Sequence, residues 1–209
     1  MAETATQSGL RERKKQLTRE HIAETARRLF AERGFDRVSV AEVAREADVS
    51  QQTVFNYFPT KEDLVYWRLG AFEDELLAAV RERPAGEPAL VAFKRFLLNQ
   101  RGLLGQADPA AFDQLVALAR TISSSPALRA REQQILERYT AGLTAELGGD
   151  STAAVAAAAM IGVHRALIAF TRRHVLDGTP QKRLQRIVRA EAERAFALLE
   201  GGLGDYAPG

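Results

Sequence analysis

Residues 38–64 read VSVAEVAREADVSQQTVFNYFPTKEDL, and this stretch decides the fold. Ser39 stands three positions before Glu42. In that S-x-x-E pattern each side chain satisfies a free backbone N–H of the other at a helix start. Val40, Val43, Ala44 and Ala47 then recur at helical spacing. Ala44 is small enough for a second helix to cross closely. Asp48 falls four residues later, where the chain must turn. A positive φ is expected there, which Gly takes best and Asp tolerates. Val49 turns inward, and Ser50 is a good N-cap for a helix from Gln51 to about Phe58. Val54 and Phe58 face its core, which leaves Gln51, Gln52, Thr53, Asn56 and Tyr57 outward. Pro59 stops this helix. Thr60, three residues before Asp63, caps the next, with Lys61 in its first turn. Two short amphipathic helices joined by a tight turn make a helix-turn-helix.

The outward side chains suit double-stranded DNA. Gln and Asn can bind adenine edges bidentately in the major groove. Thr and Tyr hydroxyls and a Lys ammonium suit phosphates. The candidate DNA contacts are Ser39, Arg45, Ser50, Gln51, Gln52, Thr53, Phe55, Asn56, Tyr57 and Lys61. The alternative is a three-helix hairpin whose polar face is merely solvated. Capping, turn, core spacing and surface chemistry all agree, which favours the DNA reading.

Over residues 18–65 the chain resembles the TetR-type transcriptional regulators. The resemblance rests on Ile22, Ala26, Leu29, Phe30, Gly34 and Phe35, then Val43, Ala44, Ala47, Val49 and Ser50. It continues through Thr53, Val54, Tyr57, Phe58, Lys61 and Leu64. Two departures stand out: Asp48 replaces the usual turn Gly, and Phe55 stands where Tyr is common. The resemblance implies a homodimer on a palindromic operator and a small-molecule effector bound in a C-terminal helical domain.

Composition narrows the remaining classes. The 209 residues carry 29 basic and 27 acidic side chains, a formal +2, so whole-chain charge says little about nucleic acid. No Cys is present, which excludes disulfides and thiolate metal sites. No phosphate-binding Gly loop, metal-ligand cluster or nucleophile-base set is visible. An enzyme, a metal or another cofactor is therefore not expected. No run of about 18 apolar residues suggests a membrane span, and the N-terminus lacks a signal-peptide core. A cytoplasmic protein without a membrane partner is expected.

The fold expected is all-α, with about nine helices. Residues 1–17 are expected to form a flexible basic arm around Arg11, Arg13, Lys14 and Lys15. Thr18 would cap a first helix from about Arg19 to Arg33, ended by Gly34 at C′. Residues 18–60 form the helix-turn-helix domain, 61–200 a regulatory and dimerisation domain, and 201–209 a loose tail. Within the second domain one long helix is expected from Lys61 to about Arg83, acting as a lever. Others run from about Pro88 to Arg101, from Pro109 (after Asp108 as cap) to about Ser123, and from Pro126 to about Leu147. Two more run from Ser151 to about Leu176, and from beyond Pro180 to about Leu199.

Ala154, Ala158, Gly162 and Ala166 recur every four residues, a small-residue stripe suited to close helix approach. Leu184, Val188, Glu191 and Ala195 follow an approximate heptad in the last helix. Paired across a two-fold axis, these helices would form a four-helix dimer bundle, unless both stripes pack within the monomer. Phe72, Phe93, Phe96, Phe112, Leu115, Tyr139, Met160 and His164 are candidates for an apolar effector site by type and helix. Ordinary core packing is the alternative for each. Two other readings remain open: an activator that needs its ligand to bind DNA, and a DNA-binding protein with no effector.

Overall fold

The computed structural model describes residues 2–99 and 109–202, and all regular elements in them are helices. In chain order they are α1 (Ala2–Arg33), α2 (Val40–Glu46), α3 (Gln51–Tyr57), α4 (Asp63–Tyr66) and α5 (Leu69–Arg81). Then come α6 (Ala89–Asn99), α7 (Pro109–Ser124), α8 (Pro126–Glu146), α9 (Ser151–Leu176) and α10 (Gln181–Gly201). The all-α class is as expected. The described residues hold ten helices, because the expected helix from Lys61 to Arg83 is divided. α4 ends at Tyr66, Trp67 and Arg68 form a turn, and α5 begins at Leu69. The expected end of α6 near Arg101, the cap at Asp108 and the tail beyond Gly202 lie outside the described residues.

The chain forms two compact units. One comprises the residues up to Leu69 together with Thr121–Arg129; the other comprises Gly70–Arg120 and the residues from Ala130 onward. In the first unit, Ile22, Ala26, Leu29 and Phe30 form the buried stripe of α1, which packs on α2 and α4. α1 starts at Ala2, not near Arg19. Thr18 does not cap a start. Its hydroxyl donates back to the Lys14 carbonyl at 3.0 Å, as a Thr inside a continuing helix does. Arg11, Arg13, Lys14 and Lys15 are therefore exposed cations on a helix rather than a flexible arm. Gly34 ends α1 as predicted, at φ 85 with its N–H on the Phe30 carbonyl at 2.9 Å.

The α7–α8 corner completes this unit. Ile122 and Leu128 are buried, and the Ser125 hydroxyl donates to Asp36 Oδ1 at 2.9 Å. Tyr66 donates its hydroxyl to the Leu128 carbonyl at 3.0 Å. Nothing in the local sequence announces this pairing, because Asp36 and Ser125 lie 89 residues apart.

In the second unit α9 is the central helix, packed on α6 and α10. It is long and apolar enough to cross a membrane, with a mean hydropathy of 1.8 over its best window. Sequence inspection passed over it because Ser, Thr, Gly and His interrupt the apolar run. Ala157, Ile161, His164 and Leu167 bury one of its faces inside this unit. Asp150 caps it, the carboxylate accepting from the Ala153 N–H at 2.7 Å. Gly142 on α8 allows a close approach to α5. A Cβ there would lie 2.9 Å from Leu77 Cδ1, so a larger residue requires Leu77 to move.

Candidate nucleic-acid interface and aromatic cluster

The helix-turn-helix is assembled from local hydrogen bonds. Ser39 Oγ accepts from the Glu42 N–H at 3.2 Å, and Glu42 Oε2 accepts from the Ser39 N–H at 2.8 Å, closing the predicted capping box. The Arg33 guanidinium reaches the other oxygen of Glu42 at 2.7 Å. The Ser39 backbone N–H, then Arg33 and the Ser39 hydroxyl, pull the Glu42 carboxyl down to about 2. Asp48 takes φ 52, the left-handed turn expected of it. Ser50 caps α3, accepting from the Thr53 N–H at 3.0 Å. Val43, Ala44, Val54 and Phe58 are buried beneath. Burying Phe58 alone stabilises the unit by about 2–3 kcal/mol.

This scaffold presents Gln51, Gln52, Phe55 and Asn56 to solvent, with Thr53 and Tyr57 half-buried beside them. Gln52 Nε2 donates to Asn56 Oδ1 at 3.1 Å, so two amides one turn apart are held side by side. Phe55 is 41% exposed, high for a large apolar ring. Arg45 is exposed, within 4.0 Å of Glu46. The hydroxyls of Ser39 and Ser50 are already engaged in capping, which leaves them less free for phosphate than the sequence reading supposed.

Lys61 has a second role. Its Nζ donates to the Phe35 carbonyl at 2.6 Å and lies 4.2 Å from the Phe35 ring centroid. Desolvation lowers its pKa against the pull of Asp36, Glu62 and Glu42. The ammonium therefore locks the exit of α1 to the start of α4. Sequence reasoning missed this, and also the Arg19 guanidinium 5.6 Å above the Phe58 ring.

The effector candidates fall into separate groups. Phe72, Phe96, Tyr139 and His164 meet in one aromatic cluster. The Phe72 ring stacks on His164 at 5.3 Å and 14°, stacks on Tyr139 at 5.7 Å, and meets Phe96 edge-on at 5.3 Å. Met160 is buried one turn before His164. Phe93 is fully buried and faces Phe196. Phe112 and Leu115 pack elsewhere, against Ala119, Val175, Leu184 and Val188. His164 is 5% exposed, its Nδ1 has no hydrogen-bond partner among the described residues, and burial lowers its pKa to about 4. Burial raises the Tyr139 phenol.

The two dimer stripes also separate. Ala158, Gly162 and Ala166 are exposed, Ala154 is half-buried, and the neighbouring Val155 is 70% exposed. Leu184 and Val188 are 4% and 1% exposed within their own chain, so they belong to its core and not to an open face. Glu191 and Ala195 are half-buried. The heptad reading went astray because an amphipathic stripe does not reveal which neighbour covers it.

A capped helix-turn-helix followed by an all-helical second unit defines a helix-turn-helix regulator. Residues 22–66 match the family model of bacterial regulatory proteins of the tetR family. It is 30% identical over 127 residues to the HTH-type transcriptional regulator TcmR of Streptomyces glaucescens. That match covers 58% of this chain and 55% of the relative. The chain spans about half or less of the curated relatives it matches. Its fold is similar to that of NalD, described as the secondary repressor of the MexAB-OprM multidrug efflux pump in Pseudomonas aeruginosa. The TM-score is 0.57 at 19% identity, over 91% of this chain and 100% of NalD. The fold is likewise similar to that of the transcriptional regulator FadR from Bacillus subtilis, solved with stearoyl-CoA. There the TM-score is 0.53 at 19% identity, over 85% of this chain and 97% of FadR. The relatives are transcription regulators, not enzymes.

Proposed function

We propose that the protein is a ligand-responsive repressor that binds a palindromic operator as a homodimer in the cytoplasm. The observation that carries the reading is α3: the Gln52–Asn56 amide pair and Gln51 stand exposed on a helix fixed by Ser50 and by buried Val54 and Phe58. Such amides read adenine edges. A single α3 reads only a few base pairs, and two-fold pairing multiplies the discrimination. The exposed stripe Ala158, Gly162 and Ala166 beside Val155 is the face we assign to the second copy.

The effector reading rests on the aromatic cluster. His164 Nδ1 is a buried polar atom beside the Phe72 ring with no hydrogen-bond partner among the described residues. A planar, apolar effector with one polar group would supply one. The repressor sign follows that of NalD, described as a secondary repressor. Effector binding shifts the population away from the operator-binding state, and a coupling of about 3 kcal/mol releases DNA roughly a hundredfold.

Selection of bound duplexes from a random pool tests the reading. Two inverted half-sites are the expected outcome. Enrichment of a single half-site would remove the dimer, and no enrichment by the free protein or by protein with an effector panel would remove the regulator reading.

A further inference from the structure

The α9–α10 corner carries a positive pole that the reading above leaves unused. Residues 170–190 hold six cations, Arg172, Arg173, Lys182, Arg183, Arg186 and Arg189, against one anion, Asp177. That is a formal +5 in a chain whose total is only +2. Arg172 is ion-paired with Glu132, and the Arg173 guanidinium lies 5.6 Å above the Phe170 ring. The other four are exposed and have no ion-pair partner among the described residues.

Folding alone does not favour this arrangement. The first turn of α10 has no acidic residue, and Pro180 offers it no side-chain cap. Cations there oppose the helix dipole. Lys182 and Arg186, and Arg186 and Arg189, are like-charge neighbours one turn apart. Each of these is mildly destabilising, and an external polyanion would relieve all of them together. Five of the six cations are Arg, whose planar fork matches phosphate oxygens. Lys182, Arg186 and Arg189 share one face, a row of about 10 Å at 1.5 Å per residue. One DNA strand presents a phosphate roughly every 3.4 Å of helix axis, so the row runs along about three. Across from this row, the face of α10 with Leu184 and Val188 is buried. It offers a lipid surface nothing to insert, and interfacial helices need an apolar face as well as a basic one.

We propose that Lys182, Arg183, Arg186 and Arg189 form a second, sequence-independent contact to the phosphate backbone of the operator duplex. The inference rests on the DNA-binding reading above. In it, α3 selects the sequence and the pole on α10 adds affinity without selecting bases.

The test compares the full-length chain with the triple variant Lys182→Ala, Arg186→Ala, Arg189→Ala on a duplex recovered by selection, titrated over a range of KCl. Each lost phosphate contact lowers the slope of log K against log salt by about 0.9, so a drop of up to about 2.7 is expected. At low salt the affinity falls at least tenfold, while the selected base sequence stays the same. A companion variant, Arg186→Lys with Arg189→Lys, keeps the charge and the slope. An unchanged slope in the triple variant, with the same thermal midpoint as wild type, overturns the proposal. So does an unchanged slope together with lost binding to phosphatidylserine–phosphatidylcholine vesicles, which would assign the pole to a membrane. If the wild type binds no duplex at any salt, the DNA reading itself fails and this inference falls with it.

Discussion

Asp48 holds the turn between the two short helices in a left-handed conformation that costs an L-residue free energy and a glycine none. Asp48→Gly is expected to raise stability by about 0.5–1 kcal/mol, and Asp48→Val to lower it by more, both measured by urea denaturation. Glu42 gives a pH signature. Its carboxyl is near 2 when folded against an ordinary 4.5, so its stabilisation is present above about 4.5 and is lost as the pH falls toward 2. Glu42→Gln should lack that acid-dependent component, and a parallel loss in wild type and variant would contradict the assignment. Both residues were legible in the sequence because a cap and a turn are made by neighbours. Lys61 was legible only in part. Its partner, the Phe35 carbonyl, lies 26 residues away. Lys61→Ala is therefore expected to lower folding stability by about 1–2 kcal/mol in addition to weakening DNA binding. A normal denaturation midpoint would return it to a purely phosphate-binding role.

At the scale of elements, α3 separates scaffold from reader. Gln52→Ala removes one amide of the pair and frees Asn56 to rotate. It is expected to cost about 1–3 kcal/mol on the best operator and to relax preference at one or two positions, read by repeating the duplex selection. Unaltered preference would shift base reading to Gln51 and Phe55. The bounds of α3, α8 and α9 could be taken from Ser50, Pro126 and the Ser151 start, because caps and breakers are local signals. The break at Trp67 and Arg68 could not. No Pro marks it, Gly70 falls just inside α5 and not in the turn, and apolar periodicity continues across it. Periodicity likewise gave Leu184 and Val188 a buried face without saying that Ala119 and Val175 of the same chain would bury it.

At the scale of the whole molecule, the two units carry separable acid responses. Burial in the second unit lowers His164 from its ordinary 6.5 to about 4. Its neutral form is favoured when folded, so stability is full above about 6.5 and declines as the pH falls toward 4, a window distinct from that of Glu42. His164→Phe should flatten this upper window and leave the lower one intact, followed by thermal midpoints across pH. Phe72 touches three of the cluster's rings yet is only half-buried. Phe72→Ala is expected to cost about 2–3 kcal/mol, below the ~3–5 kcal/mol of a fully buried Phe. It should also change the response to apolar effectors in a thermal-shift screen. The sequence placed these aromatics on the right helices, but only the tertiary packing sorts Phe72, Phe96, Tyr139 and His164 from Phe112 and Leu115.

The turn that divides α4 from α5 also equips the protein with an optical reporter. Trp67 is the sole tryptophan of the chain, half-buried, with the Arg68 guanidinium 4.9 Å from its ring. It sits two residues before the point, after Leu69, where the chain passes from one unit to the other. Indole emission shifts with solvation and is quenched by nearby groups, so the unlabelled protein signals a rearrangement at this joint from a single, unambiguous fluorophore. With no cysteine in the chain, one introduced thiol would accept a dye site-selectively and turn the same indole into the donor of an energy-transfer pair.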